Sequence, residues 1–250
     1  LKSNGVTYNY DFDIKDVQIS ECDTSAPFMT GSFADTTVYD TSGFGNHSVV
    51  SGKIYIDGDT PRNDIGYNFN QSGYIHKGDL GMYFNEFTIA YWVKIPLTIS
   101  AQHFIFGTFD NWTVNGIGAW RDETSQTGYS CIMRSDAEST WGTFAPYGIP
   151  YNTWTHIAYV YTGTEIHTYR NGVLIENNPY GKNGHCYMPN LILGNSTFGN
   201  TATENDEASM SDFRLYATAL SADAIKQLYN SPISVTNTGV LMTQGEFKEE

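Results

Sequence analysis

Residues 154–175 read WTHIAYVYTGTEIHTYRNGVLI, three apolar runs separated by two turn signals. The first turn signal is Thr162-Gly163-Thr164. The second is Asn171-Gly172, whose residues accept positive φ and so favour a two-residue type I′ hairpin. The stretch therefore predicts a three-stranded antiparallel meander over residues 154–176, in which the pairing across Asn171-Gly172 is the strongest local prediction.

Alternating apolar and polar residues recur outward from this meander. The alternation is clearest in FTIAYWVKI at residues 87–95, where one face takes Phe87, Ile89, Tyr91, Val93 and Ile95 and the other Thr88, Ala90, Trp92 and Lys94. The period of two is typical of a strand. Further candidates are residues 6–12, HFIFGTF from His103, GYSCIMR from Gly128, LILG from Leu191 and MSDFRLY from Met210. Many short strands with no helix between them predict an all-β fold, a two-sheet antiparallel sandwich.

One short helix is predicted near the C-terminal end. Ser221 can cap ADAIKQLY, Leu220 can pack on Ile225 across the cap, and Pro232 ends the helix. The tail at residues 232–250 indicates a Gly-turned hairpin or connector. We therefore expect a flanking strand or connector at residues 1–26 and the sandwich domain at residues 27–231.

The charge balance restricts the partners. Twenty-seven acidic residues against 13 basic ones give a formal net charge of −14, which repels the phosphate backbone of nucleic acids. No apolar run approaches the roughly 20 residues that span a bilayer. We expect no nucleic-acid partner and no membrane insertion.

The cysteine spacing gives no disulfide or zinc pattern, and the amino end gives no signal-peptide pattern. Cys22, Cys131 and Cys186 lie far apart and form no CxxC pair, so reduced, partly buried thiols are favoured over a disulfide framework. The chain begins at Leu1 without a methionine or a signal-peptide layout. We expect a processed product or a piece of something longer.

Four motifs in order resemble one family. TVYDTSGFGNHS at residues 37–48 is similar to the opening strand and loop of laminin-G-like jelly rolls, residues 87–95 to a central strand, and residues 154–175 to the family's meander. LILGN, followed by SDFRLYATALSADAIKQLY at residues 211–229, resembles the closing strand and helix. The order and spacing match across roughly residues 27–230.

The resemblance implies a concanavalin A-like jelly-roll sandwich with a curved rim that usually binds glycans or proteins. This architecture also carries lectins, adhesion domains and a few glycan-cleaving enzymes, so the fold does not fix the function. The closing segment also resembles laminin-G modules of bacteriophage tail or head fibres.

Catalytic patterns are missing from the predicted strands. A retaining glycosidase on this fold needs two carboxyl groups about 5–5.5 Å apart, usually from Glu-x-Asp-x-x-Glu on one strand. The nearest acidic cluster, residues 204–207, lies in a polar run that predicts a solvated loop. His156 and His167 lie on predicted strands, where cross-strand packing is favoured over a catalytic role. The sequence therefore indicates a protein that is not an enzyme.

Asp40 allows two interpretations, and both stay open. The carboxylate can cap its own turn, Asp40-Thr41-Ser42-Gly43, or it can join Asp212 in one structural calcium site of the kind that ties first and last strands in related jelly rolls. Turn capping is slightly favoured, because two carboxylates fall short of the six to eight oxygens that calcium takes.

Aromatic residues outside the clean strand pattern are the candidate ligand-binding residues. Trp112 and Trp120 border the predicted loop WTVNGIGAW, while Trp141 and Tyr147 lie in a Gly/Pro-rich stretch. Flat apolar rings stack on sugar rings, although tryptophan is equally often buried. Trp92 and Trp154 are assigned to the core.

These observations favour a non-catalytic carbohydrate- or surface-binding module on an extracellular or virion surface. Its partners would be a glycan or cell-surface ligand and other subunits of a larger assembly. The alternative is a purely structural decoration or assembly domain of a phage particle, and a glycan-cleaving enzyme is the least favoured hypothesis.

Overall fold

Antiparallel strands dominate the computed structural model, which describes residues 2–3, 6–7, 12–13, 37–39, 47–57, 59–61, 66–69, 73–78, 80–97, 103–109, 115–121, 129–138, 142–144, 148–180, 184–195 and 208–230. The elements are β1 (Lys2–Ser3), β2 (Val6–Thr7), β3 (Phe12–Asp13), β4 (Thr37–Tyr39), β5 (Ser48–Gly52), β6 (Tyr55–Asp57), β7 (Gly66–Asn68), β8 (Gly73–Lys77), β9 (Met82–Phe84), β10 (Phe87–Lys94), β11 (His103–Gly107), β12 (Gly116–Arg121), β13 (Tyr129–Arg134), β14 (Gly142–Phe144), β15 (Thr155–Tyr161), β16 (Glu165–Arg170), β17 (Val173–Pro179), β18 (Cys186–Met188), β19 (Leu191–Leu193), β20 (Ser209–Tyr216) and the helix α1 (Ala222–Asn230).

The strands form two large sheets and two small ones. The first large sheet has seven strands in the order β17-β16-β15-β10-β20-β7-β6, and the second has nine in the order β14-β13-β12-β11-β19-β8-β5-β4-β3. Pairs β1–β2 and β9–β18 are separate two-stranded sheets. Pairing is antiparallel except between β3 and β4. The predicted all-β, two-sheet antiparallel sandwich is confirmed.

The main core lies between the two large sheets. Tyr91 of the seven-stranded sheet meets Phe106 of the nine-stranded sheet edge to face at a ring-centroid distance of 5.5 Å. Phe106 in turn meets Phe213 at 5.6 Å. All three rings are buried. Buried aromatic area of this size is the main contribution of such side chains to stability.

Strand β10 is buried on both faces. Its inward residues, such as Ile89 and Tyr91, belong to the main core, as the alternation predicted. Two of its outward residues are buried against α1: Ala90 clusters with Ile225, and Trp92 stacks on Tyr229 at 5.5 Å. The helix therefore provides a second, smaller core on the outer face of the seven-stranded sheet.

Helix α1 starts and ends where the sequence predicted. The amide of Ala224 donates to Ser221 Oγ at 3.2 Å, which is the expected cap, and Leu220 packs in the same cluster as Ile225. The helix ends at Asn230, two residues before Pro232. In the part of the chain that the structure describes, no helix is long and apolar enough to cross a membrane.

The predicted meander is confirmed as β15–β16–β17. Arg170 pairs with Val173 across the turn, and Asn171 and Gly172 have φ of 50° and 75°, as a type I′ turn requires. Gly172 lies against Tyr229 of the helix, where a Cβ would meet the tyrosine Cβ at 3.2 Å. Glycine at this position thus serves both the turn and the packing of α1.

Two predictions fail locally. The predicted loop WTVNGIGAW contains strand β12, because its small residues let Phe109 lie against the backbone: a Cβ on Gly118 would meet the Phe109 ring at 2.8 Å. Trp154 is half buried on the outer face instead of in the core. Its indole Nε1 donates to the carbonyl of Asp59, and the Lys94 ammonium lies 5.1 Å from the ring centroid.

The other local predictions are mixed. Cys131 and Cys186 are buried free thiols, as expected, and burial raises the pKa of both. His156 packs across the strand pair against Trp92 at 5.3 Å, as expected, while His167 pairs with Glu165 of its own strand at 2.9 Å.

Several predictions fall outside the described residues: those on Cys22, Asp40, Trp112, Trp141, Tyr147, residues 204–207 and residues 232–250.

Candidate functional site

Two tyrosines stack on each other at the surface of the small sheet β9–β18. Tyr83 and Tyr187 face each other directly in the register of the two strands, with ring centroids 4.4 Å apart and an interplanar angle of 25°. Tyr83 keeps 50% of its surface exposed, which is unusual for a large aromatic residue within a strand.

Alternation along each strand explains why both rings point outward. Met82 and Phe84 on either side of Tyr83 are buried, and so are Cys186 and Met188 on either side of Tyr187. Since successive side chains of a strand point to opposite faces, burying these apolar neighbours forces the central tyrosines to the surface.

Exposed polar residues border the two strands that carry the stacked rings. His185 lies two positions before Tyr187 and Asn85 two positions after Tyr83, and both are exposed. Residues two apart on a strand are roughly 7 Å apart along the backbone. His185 also brings in Asp136 through its side chain. We call Tyr83, Asn85, Asp136, His185 and Tyr187 the tyrosine patch.

Three hydrogen bonds join Asp136 to His185. The His185 amide donates to Asp136 Oδ1 at 2.6 Å, His185 Nδ1 lies 3.0 Å from Asp136 Oδ2, and the Asp136 amide donates to the His185 carbonyl at 2.9 Å. The side chains remain 44% and 51% exposed. The pair is therefore held in position and is open to solvent.

A buried tyrosine, Tyr161, contacts the backbone next to His185 of the patch. The Tyr161 hydroxyl lies 2.6 Å from the carbonyl oxygen of Gly184, the residue before His185. It lies 2.9 Å from the carbonyl oxygen of Gly163. A Cβ on Gly163 would meet the Asn85 carbonyl at 3.2 Å. Burial raises the pKa of Tyr161 above its usual value, so this hydroxyl remains a donor at physiological pH.

The patch combines the two kinds of group that bind sugars. Exposed aromatic rings offer apolar surface to the C–H face of a sugar ring, while a carboxylate, an imidazole and an amide offer hydrogen bonds to hydroxyl groups. Asp136 is the one carboxylate among the five described members of the patch.

Trp120 is the described member of the predicted aromatic platform. It lies within β12 and stacks on Phe104 at 6.1 Å, in a small cluster with Phe109 and Ile132. The ring is partly buried. Its predicted neighbours Trp112, Trp141 and Tyr147 lie outside the described residues, so this platform stays a prediction.

Asp212, the described half of the predicted calcium site, is buried at an irregularity where β20 pairs with β10. Its φ of 49° lies in the left-handed region. The carboxylate oxygen Oδ1 accepts a bond from Arg214 Nε at 2.7 Å. Burial opposes the charge of Arg214, yet Asp212 raises the pKa of this guanidinium above its usual value.

No group of three or more His, Cys, Asp or Glu side chains suited to a metal occurs among the residues with described positions. The calcium site with Asp40 stays a prediction.

A second polar cluster, on the outer face of the seven-stranded sheet, is held together by an ion pair and a hydrogen bond. Asp57 Oδ2 lies 2.5 Å from Lys94 Nζ and accepts a bond from Ser209 Oγ at 2.7 Å. Burial opposes ionisation, but Lys94 and Ser209 lower the pKa of Asp57 below its usual value. The cluster ties β6 to β10 and β20, a structural role.

Sequence reasoning missed Tyr83 and Tyr187, although a signal exists. Each is a single tyrosine between two apolar residues, in Met-Tyr-Phe and Cys-Tyr-Met. If the apolar pair is buried in a strand, the tyrosine must face away. Segments of three residues are short for a strand assignment, and their pairing joins residues about a hundred positions apart.

Comparison with known proteins agrees with the fold. The structure defines a two-sheet jelly-roll sandwich with an exposed aromatic patch. A laminin-G-like family model, described as the concanavalin A-like lectin/glucanases superfamily, matches residues 69–226, more than half of the chain. The protein belongs to this superfamily, as the sequence resemblance implied. No curated protein matches the chain.

Solved structures with the same fold include binding domains. Domain 4 of AbnA, an extracellular arabinanase from Geobacillus stearothermophilus solved with arabinotriose, has a TM-score of 0.58 and 18% identity, over 76% of this chain and 91% of that one. Two botulinum neurotoxin structures have TM-scores of 0.59. One concerns type C and its interaction with two ganglioside molecules, with 17% identity over 79% and 49% of the chains.

The other neurotoxin structure is the binding domain of type DC with rat synaptotagmin II, with 16% identity over 79% and 49% of the chains. The present chain thus spans about half the length of these toxin domains. Identities at this level establish a shared fold.

Proposed function

We propose that this protein is a non-catalytic carbohydrate-binding module that attaches a larger extracellular or virion-surface assembly to glycans. The observation that carries the proposal is the stacked pair Tyr83–Tyr187, held at the surface beside hydrogen-bonding side chains.

The exposure of the pair needs a reason beyond stability. Among the aromatic side chains whose burial the structure describes, most are buried, because a buried ring stabilises the fold more than an exposed one does. Tyr83 remains half exposed at the centre of a strand. A sugar ring lying on the pair would cover this apolar surface and complete its burial.

Two of the similar solved structures support a binding role. One was solved with arabinotriose, and another concerns ganglioside binding. At their low identity to this chain, these ligands indicate only the class of molecule to test first. The net charge of −14 further disfavours anionic polymers such as nucleic acids.

The absence of catalysis is part of the proposal. The sequence has no strand with the Glu-x-Asp-x-x-Glu pattern, and the patch contains a single carboxylate, Asp136. A binding module needs affinity and a rigid frame, which the two sheets supply.

A glycan array with the whole chain tests the proposal. Tyr83→Ala and Tyr187→Ala should each lower binding to the captured glycans about tenfold, which corresponds to the loss of about 1.4 kcal/mol of contact with the sugar. Trp120→Ala tests the predicted platform in the same experiment. Leu97→Ala is the matched control, because Leu97 is 65% exposed and lies beyond the end of β10.

Three results are informative. Loss with the tyrosine variants alone supports the patch, while loss with Trp120→Ala alone moves the site to the predicted platform. A wild-type protein that captures no glycan contradicts the proposal and favours a structural decoration or assembly domain. Thermal melts of every variant identify misfolding.

A further inference from the structure

We infer that Asp136 and His185 determine the specificity of the tyrosine patch, and that they select uncharged glycans with neighbouring hydroxyl groups over acidic glycans. The inference rests on the proposed function and names the ligand class of the same site.

The Asp136 carboxylate retains capacity to accept hydrogen bonds. A carboxylate has about four lone-pair directions. The His185 amide takes one on Oδ1 and His185 Nδ1 takes one on Oδ2. With 44% of the side chain exposed, the remaining directions face solvent. Two oxygens in one plane can accept from two hydroxyl groups on adjacent sugar carbons, which is the arrangement of a vicinal diol.

Asp136 is fixed before any ligand arrives. Its two side-chain bonds to His185, together with the backbone bond from its own amide to the His185 carbonyl, restrict its rotation. His185 is restrained in turn by its neighbour Gly184, whose carbonyl accepts from the buried Tyr161 hydroxyl. A preorganised acceptor loses little entropy on binding, so it favours ligands whose hydroxyl groups match its geometry.

The charge of the patch disfavours acidic sugars. Residues 81–86 and 184–190, which form the small sheet and its edges, contain no Lys or Arg. Arg134, two residues before Asp136, donates its Nε to the Glu138 carbonyl at 3.4 Å. The exposed carboxylate of Asp136 places a negative charge at this surface. A sialic acid or sulfate at this surface would meet like charges, in a protein of net charge −14.

The test uses neutral oligosaccharides printed beside their sialylated and sulfated counterparts, lactose and 3′-sialyllactose among them. Wild-type protein should bind the neutral member of each pair at least tenfold more tightly. Asp136→Asn should lower the affinity for neutral glycans about tenfold, because the amide accepts with one oxygen atom. It should also reduce the preference for neutral over acidic glycans, because the amide carries no charge.

Two further variants separate the causes. His185→Ala keeps the charge of Asp136 and its two bonds to the His185 backbone but removes the bond from the imidazole Nδ1. It should therefore lower the affinity for neutral glycans about threefold and preserve the preference for neutral over acidic glycans. Asp223→Asn removes one negative charge from the first turn of α1, outside the patch. This variant is the control for net charge. It should change neither the affinity for neutral glycans nor the preference for neutral over acidic glycans.

The inference is overturned if acidic glycans bind as tightly as neutral ones through Tyr83, a result that leaves the proposed function standing. It is also overturned if Asp136→Asn behaves like Asp223→Asn. A wild-type protein that binds no glycan of either kind contradicts the proposed function itself. Melting curves recorded for each variant separate a binding loss from unfolding.

Discussion

Strands β9 and β10 follow each other in the chain with only Asn85 and Glu86 between them. The outward face of β10 is covered, whereas that of β9 is exposed. Both alternate apolar residues toward the core. The outward Trp92 of β10 is 6% exposed because α1 covers it, whereas the outward Tyr83 of β9 is 50% exposed although it stacks on Tyr187. Alternation therefore decides which residues share a face, and the covering element decides whether that face serves stability or binding.

Trp92→Ala should have the largest effect on the covered face. Trp92 stacks on Tyr229 and contacts His156 across the strands, and truncating a buried ring costs about 3–5 kcal/mol. Tyr83→Ala, by comparison, should cost about 1 kcal/mol or less, since the ring is half exposed. Chemical denaturation of both variants measures the difference, and equal losses would contradict the distinction between the two faces.

Tyr161→Phe should have the next largest effect, because it removes the hydroxyl that donates to the carbonyl of Gly184, the residue before His185. Leaving one buried carbonyl group without its donor costs about 1–3 kcal/mol. The free energy of unfolding, measured with and without the neutral glycan, should show that both stability and binding fall. Loss of stability with full glycan affinity would show that the patch does not depend on this support.

The same hydroxyl should make stability depend on alkaline pH. Burial raises the folded-state pKa of Tyr161 above 10.0 and that of Tyr180 to about 12. A pKa raised on folding stabilises the protein fully below the unfolded value, and that stabilisation is lost as pH rises through the folded value. Unfolding free energies should therefore decline above about pH 10, and less steeply in Tyr161→Phe.

Calcium should have the smallest effect. The Asp212 carboxylate is already engaged by Arg214, so a cation at Asp212 would lie beside a buried guanidinium. We expect the melting temperature to be the same in calcium and in chelator, which leaves Asp40 as a turn cap. A rise in melting temperature with calcium that Asp40→Asn abolishes would instead establish the predicted ion site.

The sequence predicted the fold where local rules act strongly. The turn Asn171-Gly172, the cap at Ser221 and the alternation of residues 87–95 each depend on neighbouring residues, and each appears in the structure. The strand β12 was missed because glycines carry no apolar pattern. Its reason, the packing of Phe109 on Gly118, is a tertiary contact.

The candidate site was harder to predict than the fold. The stacked pair joins Tyr83 to Tyr187 through two strands of three residues each, and nothing near either tyrosine indicates the other. The bond between Asp136 and His185 likewise joins two distant loops. Trp120 was predicted because it is a tryptophan outside the clean strand pattern. Whether an aromatic ring can bind a ligand depends on its exposure, and exposure depends on which element covers it.

The most direct test of the central claim is an amide NMR titration of the whole chain with the neutral oligosaccharide that binds best on the array. We predict that the largest shift changes occur at Tyr83, Asn85, Asp136, His185 and Tyr187, with little change around Trp92 beneath α1. Shift changes that gather around Trp120 or Trp154 and leave the tyrosine patch unaffected would contradict the account.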